Sequence, residues 1–301
     1  MATASSRVLV LAVIIPEISA SYRDVLTEIV KGIEAQPGAR VQRFLLRNNL
    51  PRLAKWLEEQ EAQGAEAVIA LGWRSIAAAR GLRTTLPVIA GAAILNPHWR
   101  AEGLSGITLR INPNFMLRRL RLLAPVVRQV HMVHDTASHG CLVEEAQAAA
   151  ARMGLGLFSY PVSNAPGARV RTYQALLDQG FTRHDAVWLC EEWADGEQDL
   201  ILAMLLEAAW DSGLAVFSEN PAHTGRGALF AVLPDYTRLG GQLAQMARLR
   251  VKYNAPPAII PLPDAALLIN LRMAQHLRVP DVSAFQTELQ SATGGVVILP
   301  S

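Results

Sequence analysis

The chain has 301 residues, about two domains' worth, with 28 Lys and Arg against 26 Asp and Glu, a formal charge of +2. That balance excludes a general polyanion or nucleic-acid binder, and 51% hydrophobic with 18% charged residues excludes a disordered chain. Two cysteines exclude a disulfide-rich scaffold and a cysteine-based structural zinc site.

Short apolar runs alternate with helical patterns along the whole chain. Val8–Ile15 reads as a strand. Ser21–Gln36 follows as a helix with Val25, Leu26, Ile29, Val30 and Ile33 on one face, ended by Pro37-Gly38. Strand 41–46, helix 50–63, strand 67–71, helix 75–80 and strand 87–90 continue the series. These are successive βαβ units, so the first sheet should be parallel and covered on both faces. Asn96-Pro97, Gly103, Gly106 and Asn112-Pro113 break the rhythm around a strand at 106–111 and a helix through Leu123.

A second series begins after Pro125. It runs strand 129–134, helix 142–153, strand 155–162, helix 170–179, strand 186–189, helix 198–212 and strand 215–217. Strand 228–233, helix 236–252 and a proline-rich tail with an apolar run at 265–269 complete it. The expected fold class is α/β: two doubly wound parallel-sheet lobes with a hinge and a central cleft. The longest early run is far short of the ~20 residues that span a bilayer. With Arg7 before it and Ile18-Ser19-Ala20 after it, the run also has the outline of a short signal peptide. It is read as a buried strand instead, because the following helix would otherwise lose its partner. No export signal is then expected in these residues.

In open parallel sheets ligands bind outside the carboxyl ends of the strands. Two facing lobes would turn both rims into one cleft. The candidates in the first lobe are Glu17 and Ser19 after strand one, Trp73, Arg74 and Ser75 after strand three, and Asn96 beyond strand four. In the second lobe they are Asp135, Ser138, Asn164, Glu191, Trp193, Ser218 and Glu219. Ser75 and Ser138 either cap their helices or leave backbone N–H groups free for a carboxylate. Arg74 is placed to pair with that carboxylate through both guanidinium nitrogens. Trp73 and Trp193 either sandwich a flat ligand or pack against their lobes. Of the adjacent Glu191 and Glu192, one faces the cleft, to hold a ligand ammonium or to be solvated.

Several chemistries lack their motifs. There is no GxGxxG after the first strand, no GxxxxGK[ST] and no GxSxG. His131 and His134, three apart on a strand, fall on opposite faces, so no metal site is expected from them with His139. Cys141 and Cys190 both fall in the second series, which argues against a racemase that uses one thiol from each lobe. Their redox state is open at this point.

Ala70-Leu71-Gly72, Leu86–Ala90, Asn96-Pro97 and Leu104–Ile107 together resemble a family of bacterial ABC-transporter substrate-binding proteins with the type I periplasmic-binding fold. The resemblance continues through Leu122–Pro125, Asp185–Leu189, Val216–Ser218, Gly227–Leu229, Tyr236–Gly240, Ile269-Asn270 and Leu277–Pro280, nearly the whole chain. It implies capture of a small polar or aromatic, amino-acid-like ligand by hinge closure, without catalysis and without a cofactor. It also implies an extracytoplasmic monomer serving an ABC permease or a membrane sensor. Characterised relatives include binders of aromatic amino acids. Three chain crossings are implied, near 112–116, 233–235 and 256–263. They put residues 7–116 with 232–257 in the first lobe and 117–231 with 258–301 in the second. The family usually has a small or hydroxyl residue where Trp73 stands and Asp where Asn96 stands. Two other readings are kept: a ligand sensor of the same fold signalling to a partner protein, and a cleft enzyme with Glu17, Glu191 and Glu219 as candidate acids.

Overall fold

Each long apolar run becomes a strand, because a sheet covered on both faces selects continuous rather than alternating hydrophobicity. The computed structural model describes residues 8–17, 20–47, 49–82, 84–163, 165–190, 196–262, 265–279 and 296–299. The chain divides into two compact units, Met1–Ile111 with Pro234–Asp264 and Asn112–Leu233 with Ala265–Ser301.

The first unit contains β1 (Leu9–Pro16), α1 (Ala20–Glu34), β2 (Ala39–Leu46), α2 (Leu50–Ala62), β3 (Ala67–Leu71) and α3 (Gly72–Gly81). It continues with β4 (Val88–Gly91), the 3-10 turn Pro97–Glu102 and β5 (Ser105–Ile111). The chain later returns with α9 (Tyr236–Tyr253) and β11 (Ile259–Leu262). The sheet is parallel in the order β11-β5-β4-β3-β1-β2. Leu11 of β1 lies between Val41 of β2 and Ala67 of β3. Every residue of β3 is buried.

The second unit contains α4 (Pro113–Leu123), β6 (Gln129–Asp135), α5 (Thr136–Arg152), β7 (Gly156–Val162), α6 (Ala168–Asp178) and β8 (Asp185–Leu189). Then come α7 (Glu197–Ser212), β9 (Ala215–Ser218), α8 (Pro221–Arg226), β10 (Phe230–Pro234), β12 (Ala265–Asn270), α10 (Leu271–His276) and β13 (Val296–Leu299). Its sheet order is β13-β12-β10-β9-β8-β6-β7. Trp188, Phe217 and Phe230, in register on three adjacent strands, stack at centroid distances of 5.6 and 5.1 Å. All three are fully buried.

The expected boundaries differ from these units in three places. Residues 232–233 lie in β10 and fall in the second unit, not the first. Residues 258–262 do not belong with the second lobe, because β11 pairs with β5 in the first sheet. Residues 112–116 belong to the second unit through α4, whose start Asn112 caps. Asn-Pro pairs that break the strand–helix rhythm are helix starts. The Asn96, Asn112 and Asn220 side-chain oxygens each accept the N–H two residues on, at 2.9 Å, with Pro at the first helical position.

Helix α9 roofs the first sheet and crosses α1 at two glycines. A Cβ on Gly32 would lie 1.8 Å from the Thr237 carbonyl oxygen, and one on Gly240 would lie 1.9 Å from that of Ile29. Glycine is required at both for the helix backbones to touch. Leu243 of α9 in turn fills the space above Gly91 of β4, where a Cβ would come within 2.5 Å.

Candidate functional site

The strand order 2-1-3-4-5 of the first sheet reverses direction between β1 and β3. A crevice forms at such a switch point, outside the carboxyl ends of the strands. Gly72, at φ 73°, turns the chain from β3 straight into α3. A side chain there would meet Pro16 at the end of β1 at 3.2 Å. Ala92, just past β4, holds φ 56° without being glycine, a backbone strain that clusters at ligand sites.

These ends enclose a cavity of about 280 Å³. Pro16 and Leu109 form part of its lining, Tyr22, Trp73 and Tyr236 supply aromatic walls, and Arg74 adds a cation. Trp73 and Arg74 were expected at the rim. Tyr22 and Tyr236 were missed, although each follows a strand end closely and the same rim rule reaches both. The expected loop before Ser75 is instead the first turn of α3. Its N-cap, Leu71, has no side chain that can cap it, so the first-turn N–H groups have no capping acceptor from that position. Ser75 therefore caps nothing. Its side chain is wholly buried, with no hydrogen-bond partner for Oγ among the described residues. The arrangement can receive a carboxylate on the helix end and Arg74, with a flat apolar body against the aromatic walls.

Other candidates are engaged elsewhere. Glu17 is exposed and pairs with Arg47 at 3.2 Å on the β2 side. Asn96 holds the 3-10 turn through its oxygen. In the second unit α5 begins at Thr136, so Ser138 sits in a helical first turn rather than before a later helix. Asp135 ends β6, and Glu219 follows β9, both half-buried. Ser19, Asn164, Glu191, Trp193 and the Ser138 side chain lie outside the described residues.

Ser218 turns inward. Its Oγ is 2.7 Å from His223 Nδ1 and accepts the Asn220 N–H at 3.0 Å. Burial holds the His223 imidazole below its ordinary value; Arg226 adds to the shift and Asp199 opposes it. With the ring neutral, Nε2 accepts from the Gln198 amide nitrogen, Nδ1–H donates to Ser218 Oγ, and the Ser218 hydroxyl donates to the Leu189 carbonyl at 3.3 Å.

His131 is not set up as a ligand. It bonds Tyr160 Oη at 3.0 Å and stacks with Phe158 and Tyr160. Burial first, and Asp185 second, push the Tyr160 phenol up. Among the described residues no three His, Cys, Asp or Glu side chains group as metal ligands. Cys141 is exposed and Cys190 buried, and neither forms a disulfide. A larger recess of about 1080 Å³ lies at the amino ends of β3 and β4. There α3 and α9 present carbonyl ends, and Arg80, Arg250, Glu66 and Glu102 are among the lining residues.

No family model and no curated protein matches the chain. Solved structures do. The ABC domain in complex with L-Trp from Streptococcus pneumonia matches at 18% identity over 96% of this chain and 99% of that one, with a TM-score of 0.54. A substrate binding protein with adhesive properties from Clostridium difficile, in its ligand-free, open structure, matches at 14% identity over 97% and 100%, with a TM-score of 0.65. A glucose-galactose binding protein from Geobacillus stearothermophilus matches at 11% identity over 87% and 98%, with a TM-score of 0.51.

Proposed function

We propose that this chain, which has the type I periplasmic-binding fold, is a solute-binding protein for a small amino-acid-like ligand with a flat apolar body and a carboxylate. The aromatic-walled cavity beside the open first turn of α3 and Arg74 carries the reading. Its volume suits a ligand of amino-acid size, below the usual drug-sized range. Binding rather than chemistry is the mechanism. The ligand favours a closed arrangement reached by hinge motion where the chain passes between its units, at 111/112, 233/234 and 264/265. Asp135, Ser138, Asn164, Glu191, Trp193 and Glu219 belong to the proposal as rim residues of the second unit, where a carboxylate would meet the ligand ammonium. The L-Trp bound by the streptococcal relative supports an aromatic ligand. Delivery to an ABC permease outside the cytoplasm completes the reading. Among the described residues no helix is long and apolar enough to cross a membrane.

The test is native mass spectrometry of protein purified without refolding, with thermal shifts in L-tryptophan, indole-3-acetate and glucose. The reading expects a retained small molecule, or a shift with the aromatic carboxylates and none with glucose. Arg74→Ala should weaken carboxylate binding at least tenfold, about 1.4 kcal/mol. No retained ligand and no shift at saturating aromatic carboxylate would refute the function. Equal affinity in Arg74→Ala would remove Arg74 from the site.

A further inference from the structure

Trp73 is the second residue of α3, and it is 55% exposed. The core therefore does not fix its ring, although a ligand platform needs a fixed one. The ring has a neighbour instead. Trp99, in the 3-10 turn Pro97–Glu102, lies at 5.3 Å between centroids with planes tilted by 32°. Trp99 is half-buried and packs on the core cluster that includes Leu95 and Leu104. Arg80 lies two turns beyond Trp73 on the same face of α3. Its guanidinium carbon is 4.8 Å from the Trp99 ring centroid, a cation–π distance, and it is ion-paired with Glu102. Asn96 closes the turn at one end, and Gly103, at φ 87°, closes it at the other. None of Trp99, Arg80 and Glu102 lines the 280 Å³ cavity.

We infer that the 3-10 turn is the buttress of the ligand platform, with Trp99 and Arg80 as positioning residues that set the orientation of the Trp73 indole. This rests on the function proposed above. Asn96, expected to touch ligand, acts at one remove: its cap holds the turn, the turn carries Trp99, and Trp99 holds Trp73. Specificity for a flat ligand then depends on a segment that never meets it.

The experiment uses full-length protein labelled with 5-fluorotryptophan and read by fluorine NMR, with Trp73→Phe assigning its resonance among the six tryptophans. Indole-3-acetate is the binding probe. Trp99→Leu should shift and broaden the Trp73 resonance and weaken binding about three- to tenfold. Arg80→Gln should do the same to a smaller extent, and Arg80→Lys should recover part of the effect. In a Trp73→Ala background, Trp99→Leu should cost no further affinity, whereas a merely structural role would add its loss. An unmoved Trp73 resonance in Trp99→Leu and Arg80→Gln, or additive losses in the double variant, would overturn the inference. If Trp99→Leu fails to fold, Arg80→Gln decides alone. If wild type does not bind indole-3-acetate, the functional reading loses its ligand class, and the resonances still judge the buttress.

Discussion

Gly240→Ala sets two effects of opposite sign against each other. In an exposed helix interior the change would stabilise by about 0.8–1.0 kcal/mol, because alanine loses less backbone freedom. Here the new Cβ would lie 1.9 Å from the Ile29 oxygen, 2.8 Å from its carbonyl carbon and 2.9 Å from the Ile33 nitrogen. All three are backbone atoms that cannot swing aside. Carbon and oxygen ordinarily meet at about 3.3 Å, so α1 and α9 must part by roughly 1.4 Å. A gap of about 1 Å already forfeits up to half of each dispersion contact across it. Ile29 and Ile33 on α1 and Leu239, Leu243 and Ala247 on α9 are all buried and stand to lose such contacts. Overpacking costs about 1–3 kcal/mol before that loss, so the net expectation is a destabilisation of about 2–4 kcal/mol. Gly140→Ala in α5 is the opposite control, since nothing lies within 4 Å of its added Cβ; it should stabilise by up to about 1 kcal/mol. Urea unfolding of both variants against wild type, followed by tryptophan emission, measures the pair. A Gly240→Ala protein as stable as wild type would refute the close-crossing argument.

Two further perturbations probe the second unit. His223 faces Ser218 on β9, Gln198 and Asp199 on α7 and Arg226 on its own helix, and its folded pKa lies below the ordinary 6.5. Its contribution to stability is therefore whole above about pH 6.5 and is lost as pH falls through the folded value. His223→Gln should flatten the pH dependence of the thermal midpoint on the acid side of 6.5, and an unchanged slope would count against this account. Asn270→Ala removes the acceptor for the Met273 N–H and the donor to the Thr224 carbonyl, both at 2.9 Å. It should cost about 1–2 kcal/mol in urea unfolding. Asn270→Asp, which keeps only the cap, should fall between.

The buried strands were legible because a two-sided sheet writes itself as an apolar run. β3 matches its expected span residue for residue. What escaped was short or lacked its usual signal. β11 is four residues with Pro261 inside it, in a proline-rich stretch that reads as a linker. The helices α3 and α5 start before the expected 75 and 142. Gly72 makes the first turn of α3 by its own backbone, and α5 follows β6 without a connecting residue. The site was legible as a rim but not as a cavity. Adjacency along the strand ends finds Trp73 and Arg74, while Tyr236 arrives from more than a hundred residues away. Ser75 and Ser218 show the limit of the rule: position at a strand end does not say whether a side chain turns toward solvent or toward the core.

The late return of α9 bears on how the protein is made. The first stretch of the first unit ends at Ile111, and its roofing helix is complete only at Tyr253. At about 5–20 residues per second, a ribosome takes roughly 7–30 s to cover the intervening residues. Throughout that interval Gly32, Ile29 and the upper face of β4 wait without their cover. The nascent chain thus carries an apolar face far longer than a contiguous domain would. That delay gives a chaperone time to bind the open face before α9 closes it.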